Sequence, residues 1–198
     1  MSGNTLIKLR AAAMDEVLSR VGLTGESAAL VQSEPDVGTA LLRLEEAGFV
    51  SEAAKLMGHA LPRREAVWWA CMCAHHTTPA DLSNSDRAAV EAAQQWVRKQ
   101  TDETRREAFD HAQKAGFGTP EAWAAVAAFW SGDSMSPLGQ AKTPPAPHLT
   151  GTAVIGSVVL AAVRTYPERR EDRLRRFLAS GREIAGGGVG RILPEEAA

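Results

Sequence analysis

The sequence predicts an all-α fold: an irregular multi-helix bundle of αα-hairpins around a buried central helix, with a proline-rich strap before the C-terminal helices. Three observations carry this prediction. Alanine, leucine and glutamate abound, while adjacent β-branched residues are nearly confined to Val154-Ile155 and Val158-Val159, a balance that favours helix over strand. Apolar residues recur at spacings of three and four along most of the chain. A glycine followed by a hydrophobe closes an apolar stretch three times, at Val21-Gly22-Leu23, Ala47-Gly48-Phe49 and Ala115-Gly116-Phe117. Glycine just past a helix adopts the left-handed conformation that caps the last carbonyls, so each triplet reads as a helix-turn-helix corner.

The first helix is expected over 5–21, where Leu6, Leu9, Ala13, Val17 and Val21 form one stripe. Two αα-hairpins follow at 36–60 and 102–130; in each, Ser51 or Thr119 can accept from the free N–H groups of the second helix, whose first turn carries Glu52 or Glu121. Between the hairpins, Pro62 suits the first position of a helix running to His76. Its middle, Val67 to Ala74, is apolar around the full circumference, which marks it as the central helix. Residues 77–85 read as a loop, Ser85 or Asp86 starts an amphipathic helix with Ala89, Val90, Ala93, Trp96 and Val97, and Asp102 caps the next.

Residues 131–150 hold too much proline, glycine and serine for regular structure and form the strap. A small-residue helix resumes over 151–166, breaks at Pro167, and continues with Leu174, Phe177, Leu178 and Gly181 aligned until Gly186-Gly187-Gly188 ends it. So apolar a helix must be covered, so residues 1–198 are expected to form a single helical domain with the C-terminal pair, 151–186, packed on 5–130. Residues 187–198 then form a flexible tail.

Composition narrows the function classes. With 198 residues, 44% hydrophobic and 23% charged, the chain can build a core without disulfides or metals, and disorder throughout is excluded. Lys and Arg number 22 against 24 Asp and Glu, so there is no general pull toward nucleic acid or anionic membrane. The uncharged stretch 149–163 falls short of the ~20 apolar residues of a membrane span, so none is expected. Charges interrupt the N-terminal stretch where a signal peptide needs an apolar run, and the cysteines do not pair as a disulfide, so a cytoplasmic protein is expected.

Cys71, Cys73, His75 and His76 carry zinc-type donors, but only Cys71 and His75 share a helix face, and further ligands would have to come from His59 or His111. Burial of both cysteines as small hydrophobes is the favoured reading, and neither metal nor cofactor is expected. Cys73 with a neighbouring histidine makes a poor nucleophile and base, because such pairs are assembled from separate segments. The run Gly186-Gly187-Gly188-Val189-Gly190-Arg191 lacks the lysine and hydroxyl of a phosphate loop and follows a helix.

Two groups suit protein contact instead. Arginine and tryptophan are enriched where interfaces concentrate their binding energy, which singles out Arg63 and Arg64 with Trp68 and Trp69. Adjacent helical residues diverge by about 100°, so one tryptophan can lie near the surface, although two core tryptophans between neighbouring helices are the favoured reading. On the last helix Arg169, Arg173 and Arg176 share one side, interrupted by Glu168, Glu171 and Asp172, which reads as a solvated face laced with ion pairs in preference to a nucleic-acid site, while arginine suits pairing with an acidic protein partner.

The run Leu61-Pro62-Arg63-Arg64-Glu65-Ala66-Val67-Trp68-Trp69-Ala70-Cys71, followed by Glu121-Ala122-Trp123, the proline-rich strap and Arg175-Arg176-Phe177-Leu178, resembles an uncharacterised bacterial family of about this length. The resemblance implies an all-helical protein, and the association of some members with type VI secretion gene clusters implies an accessory, adaptor or chaperone role. A non-enzymatic helical interaction module with a protein partner, such as a secretion-system component, is therefore the expectation. The alternatives are a small enzyme with a pocket near His75 and a weak nucleic-acid binder acting through the helix bearing Arg169 to Arg176.

Overall fold

A computed structural model describes residues 6–9 and 12–195. Among them are ten α-helices, one 3-10 turn and no strand. In chain order the helices are α1 (Met14–Val21), α2 (Gly25–Val31), α3 (Val37–Glu46), α4 (Val50–Ala60), α5 (Arg63–His76), α6 (Asn84–Lys99), α7 (Asp102–Ala115), α8 (Pro120–Trp130), α9 (Leu149–Val163) and α10 (Arg170–Ala185). The 3-10 turn, Pro167–Arg169, joins the last two.

The three predicted corners form as their chemistry requires: Gly22, Gly48 and Gly116 all take positive φ, at 65°, 83° and 80°. The pairs α3–α4 and α7–α8 are the two expected hairpins, and both pack along their lengths. Their second helices start differently. Thr119 Oγ1 accepts from Ala122 N at 3.3 Å, as expected. Ser51 makes no such cap; α4 begins one residue earlier, at Val50, and Ser51 Oγ takes a hydrogen bond from Arg170 Nη2 at 2.8 Å. Two other starts shift by one to three residues. Ser83 caps α6 through Asp86 N at 3.1 Å, and Thr101 caps α7 through Thr104 N at 3.2 Å, because each hydroxyl lies three residues before a free N–H.

The helix expected over 5–21 begins only at Met14. Residues 6–9 form a turn whose Lys8 N donates to Ala185 O at 3.0 Å, and Leu9 is buried in the core. A tertiary bond to the end of α10 thus replaces the helical continuation; residues 5, 10 and 11 of that prediction lie outside the described residues. The C-terminal small-residue helix starts at Leu149, two residues ahead of expectation, and ends at Val163.

The centre is shared by three helices. In α5, Val67, Trp69, Ala70, Cys71, Cys73 and Ala74 are fully buried. Helix α8 buries nine of its eleven residues, and α9 is packed between α5, α8 and α4. Small residues let these helices approach closely: a Cβ on Gly58 of α4 would lie 2.5 Å from Ile155 Cδ1 of α9. A part-buried ion pair closes one end of the centre, where Arg164 Nη1 donates to the buried Glu121 Oε1 at 2.8 Å and to Thr77 O at 3.2 Å.

The strap has no regular structure up to α9 but is closed on itself. Met135 N donates to Thr143 O at 2.7 Å, and Ser134 Oγ accepts from Ser136 N and Thr143 N, while Pro145 is buried. The segment from 187 differs most from its expected flexibility. Residues 187–195 run back along α10 and α5 and are held by hydrogen bonds, an apolar contact and an ion pair; residues 196–198 lie outside the described residues. No single helix among the described residues is long and apolar enough to cross a membrane.

Candidate functional site

Helix α5 places Trp68 and Trp69 on diverging sides, and the structure separates them as the helical angle demands. Trp69 is wholly buried, its Nε1 donating to Phe177 O of α10 at 2.7 Å, so it is a core residue and offers nothing to a partner. Trp68 is half-buried, with Nε1 donating to Val189 O of the C-terminal segment at 2.7 Å. It lines a cavity of about 330 Å³ with Lys8, Arg64, Arg98 and Val189. Arg64 Nε donates to Val97 O at 2.9 Å. Arg63 faces elsewhere, exposed, with Nη1 on Ser131 O at 3.1 Å, beside a separate cavity of about 440 Å³ that also contains His59. The four residues predicted as one patch therefore divide among a cavity, its neighbour and the core.

The arginines of α10 divide too. Arg173, expected on the solvated face, is only 2% exposed. Its Nη1 donates to Ala162 O at 3.1 Å and Arg164 O at 2.6 Å, satisfying carbonyls that the end of α9 leaves free. Its Nε and Nη2 bind Glu195 Oε2 at 3.1 and 2.5 Å. Arg173 is thus an internal clamp joining α9, α10 and the C-terminal segment, and it is corrected from the set of contact residues. Arg169 remains partly exposed, stacked over the Tyr166 ring at 4.6 Å, with Nη1 3.2 Å from Glu195 Oε1. Arg176 is exposed and forms no ion pair among the described residues.

Between α10 and the C-terminal segment lies a groove of about 730 Å³. Arg169, Arg173, Arg176 and Arg191 line it against two carboxylates, Asp172 and Glu195. Hydrogen bonding from Arg173 holds the Glu195 carboxyl below the usual carboxylate range, opposed in part by burial and supported by Arg169. His76 closes the inner end. Its Nδ1 faces Leu193 O, so that nitrogen carries the hydrogen, while Nε2 is buried without a hydrogen-bond partner. Glu195 N donates to His76 O at 2.7 Å.

The alternative chemistry is not assembled. Both cysteines are fully buried; burial pushes the Cys71 thiol up to about 12 and raises Cys73 well above its ordinary range, which disfavours the thiolate needed for attack or metal ligation. No group of three or more His, Cys, Asp or Glu side chains among the described residues could hold a metal ion. His75 is exposed at the end of α5, and the groove is lined by its neighbour His76 instead. Burial, then the charges of Arg20 and His148, lower His59 to about 4, so it is neutral near pH 7.

Sequence reasoning missed His76, Arg191 and Glu195 as groove residues. No sequence signal marked an ordered segment there; in the structure Gly190 takes φ of 63°, and a Cβ on it would lie 2.4 Å from Ile184 Cγ1 and 2.7 Å from Ser180 O. Residues 40–185 match a family described as a family of unknown function, DUF6931. The chain belongs to that family. The matched region contains α4 to α10, including Trp68, His76, Arg169, Arg173 and Arg176, whereas the segment from 187 that forms the groove's other wall lies outside it. No curated protein and no solved structure matches the chain.

Proposed function

We propose that this protein is a non-enzymatic helical interaction module that binds a protein partner at the basic groove of α10. The observation that carries the reading is convergence: the solvent-reaching guanidinium groups of Arg169, Arg176 and Arg191 line one concavity with two carboxylates, while the nucleophilic and metal-binding candidates stay apart or buried. Arginine presents a planar fork that matches carboxylates, so an acidic protein surface is the complementary partner. A nucleic acid fits less well, because Arg173 is internal, Arg175 is paired with Glu171 at 2.7 Å, and Tyr166 lies under Arg169. The resemblance to a bacterial family found in some type VI secretion clusters suggests the setting: a cytoplasmic accessory, adaptor or chaperone of that apparatus.

The test compares tagged wild-type chain with Arg169→Glu/Arg176→Glu, each at native level in the host, by quantitative mass spectrometry of co-purifying proteins. A stoichiometric protein retained by the wild type and lost from the variant supports the reading. A partner-free wild type, or a partner held equally by both, refutes it.

A further inference from the structure

Resting on the reading of the groove as a protein-binding surface, we infer that its ligand is an extended segment with an apolar anchor followed three residues later by a carboxylate. This chain's own residues 189–195, whose last five residues form the groove's other wall, hold that position on α5 and α10 as an intramolecular competitor. Helices α5 and α10 grip that segment chiefly through its main chain. Trp68 Nε1 donates to Val189 O at 2.7 Å, Ser180 Oγ to Gly190 O at 2.5 Å and His76 Nδ1 to Leu193 O, while Glu195 N donates back to His76 O at 2.7 Å. Main-chain bonds of this kind accept any extended chain, and specificity falls to the side chains that enter pockets. Only two do so here: Ile192 packs on the core, and the Glu195 carboxylate sits between Arg173 and Arg169.

The segment's remaining side chains are unused. Val189 is 55% exposed and Leu193 75%, the reverse of what a piece of core would show. The occupant is also a poor electrostatic match, because its own Arg191 adds a cation to a groove already lined by Arg169, Arg173 and Arg176. An acidic segment from a partner supplies the same anchor and carboxylate without that repulsion. The groove's α5 and α10 walls fall within the residues matched to the family, and the occupant falls outside them.

An intramolecular occupant acts at an effective concentration of about millimolar. It lowers the apparent affinity of any competing ligand by the fraction of open groove. Loosening the segment therefore tightens binding in trans. The experiment uses the full chain and a fluorescein-labelled peptide copying residues 187–198, read by anisotropy. Glu195→Gln is expected to bind this peptide at least tenfold more tightly than the wild type. Gly190→Ala, which strains a positive φ and drives a Cβ toward Ser180 O, is expected to give the same gain by a separate route. The gain is lost when Arg169→Ala is added, and when both glutamates of the peptide are replaced by glutamine.

A change below twofold in both variants, with folding verified by circular dichroism, overturns the inference and makes the segment a fixed part of the fold. A wild-type chain that sediments as a dimer, which the peptide dissociates, overturns it in favour of a second copy as occupant. Failure here leaves the charge-reversal capture free to succeed, since a partner can bind over the docked segment. Failure of the capture leaves the peptide result intact.

Discussion

Replacing Arg173 with methionine tests the clamp that organises the C-terminal third of the molecule. The side chain is 2% exposed, and its guanidinium serves Ala162 O, Arg164 O and the Glu195 carboxylate together. Methionine fills much of the volume but leaves these acceptors unpaired. Hydrogen bonds from a charged donor are worth about 1.5–3 kcal/mol each. Breaking a buried pair by removing one partner costs about 3–5 kcal/mol, because the remaining charge is left uncompensated. The lower range is expected here, as the Glu195 side chain is 20% exposed and water can reach it. Urea unfolding followed by tryptophan fluorescence should show a loss of about 3–4 kcal/mol with an unchanged m value.

Glu195→Gln alone should cost about 1–2 kcal/mol in the wild type and close to nothing in the Arg173→Met background, so that the cycle reports the pair itself. The pH dependence has a definite sign. Arg173 lowers the folded Glu195 below its ordinary value of 4.5, so the bond's contribution is complete above that value and disappears as pH falls through the lower folded one. A loss below about 1 kcal/mol for Arg173→Met, or equal losses for Glu195→Gln in both backgrounds, refutes the clamp.

Two further outcomes test the α4–α9 contact. His59, lowered from 6.5 to about 4, should keep the NMR shift of a neutral ring down to pH 5.5, and titration near 6.5 would contradict its burial. Because the unfolded chain takes up that proton first, the stability linked to His59 is complete above 6.5 and declines toward about 4, a decline that His59→Gln should remove. Gly151→Ala would set a Cβ 2.2 Å from His59 Nδ1, so about 1–3 kcal/mol of stability should be lost in thermal or urea unfolding. Adding His59→Ala should restore most of it; a Gly151→Ala chain as stable as wild type would show that the ring swings aside freely.

The local elements were legible in the sequence because their signals are local. Left-handed glycines at Gly22, Gly48 and Gly116 stop helices through their own backbone freedom, and the apolar circumference of α5 requires burial whatever surrounds it. Thr119 capped its helix as its position dictated, while Ser51, equally placed, was drawn instead to Arg170 of α10. That contrast marks where local reasoning stops. The first helix lost its N-terminal half because Lys8 N found Ala185 O, 177 positions away in the chain.

The groove lay beyond the sequence for the same reason. Periodicity put Arg169, Arg173 and Arg176 on one side of a helix, but it carries no information about what that side faces. Only tertiary packing turned Arg173 inward onto the end of α9, left Arg176 in solvent, and laid a glycine-rich tail across α5 with its carboxylate between two arginines. A helix's apolar stripe and stop signals are written in neighbouring residues, whereas a guanidinium's role depends on which acceptors the completed fold leaves unpaired beside it.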